Sequence, residues 1–300
     1  MRVLVLGATG MLGADLLDEW RTSRHHDHES DTLISAGSGD ADIREAQEVD
    51  RLVENARPEW IILCAAYTDV DGCEQNRELA FAVNATGVGN VARAAEKIAA
   101  RVFLVSTDYV FGGQGTRPYE TSDPVAPINV YGASKAAGEE ALRQHCTRWC
   151  IGRTSWLFGV HGPSFPRKIL KAADTRPELS VVNDQIGSPT YTRDLAGAIR
   201  SLAGKEARGT VHINNEGACS WYDFAREILA ESGRASVLVH PISTEQSARR
   251  ARRPNYSVMS PTSLHAYGLR MRPWQAALRA FLKESGARKL PSAGQPDERR

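Results

Sequence analysis

The sequence predicts an α/β fold, a doubly wound parallel sheet followed by a smaller α/β C-terminal part, and three observations carry that expectation. An apolar run over residues 3–6 stops at Gly7 and gives way to apolar residues at helical spacing, Met11, Leu12, Leu16, Leu17 and Trp20. Short apolar runs then alternate with helical stretches up to residue 155, the pattern of a parallel sheet covered on both faces. From Trp156 onward the alternation loses its regularity, as it does where a second, inserted part begins.

Gly7, Gly10 and Gly13 stand at Gly-x-x-Gly-x-x-Gly spacing between the first strand and its helix. Gly7 permits a tight turn, Gly10 removes the side chain where a diphosphate must approach the backbone, and Gly13 lets the helix lie close on the strand. The helix N-terminus offers free N–H groups and the positive end of its dipole to phosphate. Glycines at this spacing also fit an ordinary turn; the strand before and the helix after are what point to a dinucleotide.

At 300 residues the chain is long enough for a large core and for two domains. The expected division is a dinucleotide-binding domain over 1–155, to which 186–215 return, a substrate-binding domain over 156–185 and 216–285, and a flexible tail over 286–300. The 37 basic and 36 acidic residues nearly cancel, so bulk charge points to neither nucleic acid nor a membrane surface as partner. No apolar run nears the roughly 20 residues of a bilayer span, and no charged leader precedes an apolar core, so no export signal is expected. Cys64, Cys73, Cys146, Cys150 and Cys219 form neither an even set nor a Cys-x-x-Cys pair, which points to reduced thiols and a cytoplasmic protein. His25, His26 and His28 crowd together in a polar segment without a second ligand group at metal spacing, so a solvated loop is expected there rather than a metal site.

Residues 32–36 read as the second strand, ending in Gly37-Ser38-Gly39. An acidic residue at this place would hold the adenosine ribose and a basic one would tolerate a 2′-phosphate; neither is present, so NADH and NADPH both stay open. Asp42 either faces the adenine or caps the next helix, whose periodicity runs over 45–56 and stops before Pro58. Residues 60–64 are the third buried strand. Ala65, Ala66, Tyr67 and Thr68 follow at its carboxyl end, where ligands sit in open parallel sheets. A long alanine-rich helix over 74–100 and a fourth strand over 101–105 continue the alternation.

The fourth strand opens into Ser106-Thr107-Asp108-Tyr109-Val110-Phe111, and one loop later a helix carries Tyr131 and Lys135. Four apart on a helix, the two share a face with Cβ atoms about 5–6 Å apart. A phenol of pKa about 10 is a poor acid at neutral pH, and a neighbouring ammonium favours the phenolate and lowers that pKa. The pair alone proves little. Glycine turn, hydroxyl residues at the end of the fourth strand and the Tyr–Lys pair together point to a site, because the fold would gather all three at one crevice.

With these motifs the sequence resembles the extended short-chain dehydrogenase/reductases, which have a Rossmann-type sheet and a smaller substrate-binding domain, and more narrowly the dTDP-4-dehydrorhamnose reductases. The narrower resemblance rests on Ala65-Ala-Tyr-Thr-Asp-Val-Asp71, Val83-Asn-Ala85, the Ser106 to Phe111 block, Asn129-Val-Tyr-Gly132, Arg153-Thr-Ser-Trp156, Asn183-Asp-Gln-Ile-Gly-Ser-Pro-Thr190 and Arg253-Pro-Asn255, and covers almost the whole chain. It implies NAD(P)H-dependent reduction of the C4 keto group of a dTDP-4-dehydro-6-deoxy-L-hexose, giving dTDP-L-rhamnose. Tyr131 would protonate the C4 oxygen while the nicotinamide delivers hydride, Lys135 would bind the nicotinamide ribose, and Thr107 would hydrogen-bond the same oxygen. The resemblance further implies Gly10, Met11 and Leu12 at the cofactor diphosphate, Asp42 and Ile43 at the adenine, Ala65, Ala66, Tyr67 and Thr68 along the cofactor, and Asp108 and Trp156 at the sugar. Some members are homodimers bridged by Mg²⁺ through glutamates; those positions are not matched here, so no metal ligand is assigned. Several blocks are shared with reductases of related dTDP-4-keto-deoxysugars such as dihydrostreptose synthases. A third reading is a regulatory subunit that binds dinucleotide and modulates a partner enzyme.

In the second half, residues 183–190 are turn-rich, 193–202 form a helix expected to pack back on the first domain, 211–213 a short strand, 221–231 an amphipathic helix and 273–283 the last helix. Arg249, Arg250, Arg252 and Arg253 form the most basic cluster. They read either as a solvated face or as capture of the substrate's diphosphate, which needs paired cationic donors; no further basic or aromatic platform suggests nucleic acid.

Overall fold

The computed structural model describes residues 1–23 and 31–287; the clustered histidines and most of the expected tail lie outside the described residues. The first half runs β1 (Arg2–Leu6), α1 (Met11–Ser23), β2 (Thr32–Ala36), α2 (Ala46–Ala56), β3 (Trp60–Leu63), α3 (Val70–Gln75), α4 (Arg77–Phe81), α5 (Gly87–Lys97), β4 (Arg101–Thr107), α6 (Val130–His145) and β5 (Trp149–Thr154). The second half runs β6 (Leu157–Phe158), α7 (Phe165–Ala173), β7 (Glu178–Val182), β8 (Ile186–Gly187), β9 (Thr190–Tyr191), α8 (Thr192–Gly204), β10 (Gly209–His212), β11 (Cys219–Ser220), α9 (Trp221–Glu231), β12 (Leu238–Ile242), α10 (Thr262–His265) and α11 (Trp274–Glu284).

Among the described residues, six strands form one parallel sheet in the order β10-β5-β4-β3-β1-β2. Its central strands are apolar along their length because helices cover both faces. Leu12, Leu16 and Trp20 of α1 meet Leu195, Ile199 and Leu202 of α8 on one face, as expected for a helix returning to the first half. Val49 and Val53 of α2, Val88 and Val91 of α5 and Leu142 of α6 cover the other. Each such side chain, fully buried, contributes about 1.5–3 kcal/mol of transfer free energy. The strand order reverses between β1 and β3, and that reversal opens a crevice at the carboxyl edge of the sheet.

The long helix expected over 74–100 is broken. Asn76 leaves helical geometry (φ −121, ψ 55) between α3 and α4, and a π-helical turn, Ala82–Thr86, precedes α5. That widened turn carries Asn84, whose side chain closes on Tyr67: the Tyr67 N–H donates to Oδ1 at 2.8 Å, and Nδ2 donates to the Tyr67 carbonyl at 3.0 Å and to Ser134 Oγ at 3.0 Å. α6 can lie against the turn only because residue 138 is glycine; a Cβ there would come 2.1 Å from the Asn84 carbonyl oxygen.

A separate aromatic core, with Phe158, Tyr191, Phe224, Trp274 and Phe281, gathers α7, α9, α11 and short two-stranded sheets pairing β6 with β9, β7 with β12 and β8 with β11. α9 starts at a capping box formed by Ser220 and Asp223. After β12 the chain returns across the first half: Tyr256 N–H donates to the Gly113 carbonyl and Ser260 N–H to that of Tyr119.

Candidate active site

The glycine turn folds as its spacing requires. Gly7 has φ +85, in the left-handed region, and a Cβ there would lie 2.5 Å from the Ala65 amide nitrogen, so β1 and β3 end in contact at the sheet's reversal. A Cβ on Gly13 would lie 2.3 Å from the Gly7 carbonyl oxygen, which fixes α1 against the turn. Thr9 and Gly10 are exposed at the helix N-terminus and Met11 is half-buried, while the Leu12 side chain points into the core; what this segment offers a ligand is its first-turn amides.

Asp42 is bound by its own neighbour. Its carboxylate accepts from the Arg44 N–H at 2.9 Å and pairs with the Arg44 guanidinium, which holds its pKa below the ordinary value. The residue that precedes α2 as N-cap is Glu45, so Asp42 closes a local turn and is not that helix's cap. Ile43 is buried, its carbonyl accepting from Asn90 Nδ2 at 2.9 Å. Ala65, Ala66 and Tyr67 are half-buried and Thr68 is exposed, with Asn84 fixing the backbone of Tyr67.

Thr107 ends β4, and α6 starts one loop later, where the Asn129 side chain accepts from the Gly132 N–H. Tyr131 thereby stands on the first turn of α6, half-buried beside Thr107, with the Tyr109 ring edge-on at 5.8 Å. Burial raises the phenol's pKa, the Thr107 hydroxyl opposes that rise, and Asp108 adds to it. The expected lowering of the Tyr131 pKa by Lys135 is therefore corrected: Lys135 is itself enclosed, 3% exposed, and donates from Nζ to the Val105 carbonyl at 2.8 Å. Burial brings that ammonium down to about 8, against an opposing push from Glu139. Cys64, at the end of β3, faces Lys135 and is pushed by burial up to about 12.

Asp108 is a second buried carboxyl in the site, 2% exposed. Ser257 Oγ donates to Oδ2 at 2.6 Å and Thr107 Oγ1 to Oδ1 at 3.0 Å, yet burial outweighs both and raises its pKa to about 7.

Trp156 adopts φ +48, a conformation that costs a non-glycine residue about 1–3 kcal/mol and persists only where its surroundings enforce it. Here they do. Trp221 stacks on its ring with centroids 3.5 Å apart, and Gly187 approaches so closely that an added Cβ would lie 2.4 Å from Cε2. One flat face expected for a sugar is thus taken by Trp221.

The basic cluster is divided: Arg250 and Arg252 lie on the exposed face, while Arg249 and Arg253 reach an acidic partner. Arg253 and Arg249 pair with Asp71 at 3.0 and 3.5 Å, the Ala251 N–H adds a third bond at 3.0 Å, and together they hold the Asp71 carboxyl down at about 2. Arg253 also lies beside Tyr109, which packs on Tyr131, and the Arg252 carbonyl accepts from Asn129 Nδ2 at 2.8 Å. Asn84, Ser257, Trp221 and the Asp71–Arg253 clamp escape sequence reasoning about the site, because their partners lie 17 to 182 residues away. Among the described residues no group of three His, Cys, Asp or Glu side chains is placed to hold a metal ion, and no helix is long and apolar enough to cross a membrane.

A glycine turn at the sheet's reversal, with Thr107, Tyr131 and Lys135 grouped at the ends of β4 and α6, defines an NAD(P)H-dependent oxidoreductase of the extended short-chain dehydrogenase/reductase class. Residues 1–286 match the family described as RmlD substrate binding domain. The chain belongs to the dTDP-4-dehydrorhamnose reductase family. A dTDP-4-dehydrorhamnose reductase of Mycobacterium tuberculosis (strain H37Rv) is 38% identical over 303 residues, with 97% of each chain covered. The spore coat polysaccharide biosynthesis protein SpsK of Bacillus subtilis (strain 168) is 38% identical over 283 residues, covering 94% of this chain and 97% of that one. Among solved structures, a dTDP-4-dehydrorhamnose reductase from Bacillus anthracis str. Ames in complex with NADP has a TM-score of 0.90 at 40% identity, covering 94% of this chain and 99% of that one.

Proposed function

We propose that this protein reduces the C4 keto group of dTDP-4-dehydro-L-rhamnose to give dTDP-L-rhamnose, with NADPH or NADH as reductant. The observation that carries this reading is the meeting of Tyr131, Thr107 and Asp108 at the carboxyl edge of the sheet, beside the turn whose glycines a side chain would block. That turn fits a dinucleotide: Gly7 leaves a cradle against Ala65 that a Cβ would fill, and the first-turn amides of α1 around Gly10, Met11 and Leu12 suit a diphosphate. Ala65, Ala66, Tyr67 and Thr68 would line the cofactor, Ile43 and Asp42 would lie toward its adenine, and Lys135 would hold the nicotinamide ribose.

A bound reduced nicotinamide supplies the hydride for C4. Tyr131, its phenol raised in pKa by burial, reaches neutral pH protonated and gives that proton to the C4 oxygen as charge develops there. Thr107 would turn its hydroxyl from Asp108 to hydrogen-bond the same C4 oxygen. Asp108 and the exposed parts of the Trp156–Trp221 pair would contact the sugar. Residues 1–155 with 186–215 would form the dinucleotide domain, and 156–185 with 216–285 the substrate domain. The protein would work in the cytoplasm, its five cysteines free, as a homodimer.

The test offers purified protein a panel of nucleotide 4-keto sugars with each reduced cofactor, follows the nicotinamide absorbance, and identifies the product by NMR. Tyr131→Phe should lower turnover by roughly 10²-fold or more while dinucleotide affinity stays nearly unchanged. Wild-type turnover in that variant removes Tyr131 from the chemistry. Cofactor oxidation only with a different keto sugar reassigns the substrate.

A further inference from the structure

Tyr131, Lys135, Glu139 and Arg143 follow one another at four-residue spacing along α6, on one face of the helix. Glu139 has no exposed surface. Four donors converge on its carboxylate: Ser106 Oγ at 2.6 Å, Arg153 Nε at 2.9 Å and Nη2 at 2.7 Å, and Arg143 Nη2 at 3.0 Å. Ser106 comes from β4, one residue before Thr107, and Arg153 from β5, so three elements that build the site are joined at this carboxylate. Arg153 is 2% exposed and lies over the Phe111 ring at 5.1 Å.

The titratable groups around Lys135 and Glu139 come from several elements. Just after β3, Cys64 is a neutral thiol, its pKa raised to about 12. On β10, His212 is neutral, pushed down to about 4 by burial and by Arg153. On α6 itself Tyr131 is a neutral phenol and Arg143 a half-buried cation; on β5, Arg153 is a buried one. Glu139 is the anion these groups share, and its own pKa is held low by Arg153, Ser106 and Arg143 against the effect of burial. Without it, the enclosed Lys135 ammonium would have no anion on its own helix face, a situation in which an ammonium gives up its proton.

We propose that Glu139 is a positioning residue of the reductase: it supplies the countercharge that keeps Lys135 an ammonium, and Arg153 and Ser106 hold it in place for that purpose. The inference rests on Lys135 serving the bound nicotinamide ribose, but it is testable without turnover.

The experiment follows the Lys135 side chain directly, by NMR of the protein carrying ¹³C at lysine Cε, the signal being identified by its loss in Lys135→Arg. In the wild type the titration midpoint should lie near 8. Glu139→Gln should lower it by about one unit or more, so that at pH 8 the charged fraction falls from about one half to about one tenth. Arg143→Gln, at the solvent side of the cluster, removes a positive charge and should move the midpoint upward. The pH dependence of dinucleotide binding and of kcat should shift with it in both variants. An unmoved midpoint in folded Glu139→Gln overturns the proposal. If Glu139→Gln does not fold, an unmoved or lowered midpoint in Arg143→Gln overturns it alone. A protein that reduces no keto sugar yet shows both shifts refutes the sugar assignment and keeps this one.

Discussion

Replacing Asp108 with asparagine should stabilise the fold while impairing catalysis, and the gain should depend on pH in a way that identifies the carboxyl. Asp108 is 2% exposed and titrates at about 7, some 3 pH units above the ordinary 3.8. At about 1.4 kcal/mol per unit, keeping it ionised at neutral pH costs the folded state roughly 4 kcal/mol. The sign follows from a pKa raised on folding: this group's contribution is fully present below 3.8, is lost progressively as pH rises from there to about 7, and changes no further above it. Asparagine does not titrate and can still accept from Ser257 or Thr107, so it escapes that loss. Urea unfolding of both proteins between about pH 4.5 and pH 8 measures the difference. Asp108→Asn should gain on wild type by up to about 1.4 kcal/mol per pH unit below 7 and then run parallel to it. A stability difference that is the same at both ends of the range refutes the reasoning, whatever happens to turnover.

Gly7→Ala, forced to place a Cβ 2.5 Å from the Ala65 nitrogen at φ +85, should lose dinucleotide binding, read by quenching of tryptophan fluorescence; retained affinity would mean the turn does not hold the cofactor. Trp221→Ala removes the ring stacked on Trp156 and frees its strained backbone, so KM for the sugar should rise several-fold with kcat less affected; an unchanged KM refutes a role for the pair in the sugar site. Asp71→Asn loosens the clamp on Arg253. Because the Asp71 pKa is lowered to about 2 and the side chain is 25% exposed, the cost should be only about 1 kcal/mol at neutral pH, fully present above 3.8 and vanishing as pH falls through about 2; chemical denaturation at neutral and strongly acidic pH measures it.

Much of the regular structure was legible because it depends on local pattern. β2 and α9 fall on the expected residues, and β1, α2, β3 and α11 within a residue or two of them, since buried strands and amphipathic helices write their periods into the chain. The glycine turn was legible for the same reason. The break at Asn76 and the π-helical turn were not: alanine-rich periodicity continues straight through residues that tertiary bonds from Tyr67 and Ser134 pull aside. The Tyr131–Lys135 pair was found from spacing, but the electrostatics attached to it was reversed, because spacing says nothing of how deeply a phenol is enclosed or that the ammonium bonds Val105. The arginine cluster read as charge alone; only the coordinates reveal Asp71, 182 residues earlier, as its partner.

The edge strand β10 is drawn from residues 209–212, after β6, β7, β8 and β9 have already been spent elsewhere. During synthesis, then, β5 waits with one side unpaired while more than fifty further residues leave the ribosome, an interval in which a bare strand invites association with other chains. Neither half can be excised at one cut, and a truncation ending before residue 209 should yield an aggregating fragment, not a free-standing nucleotide module.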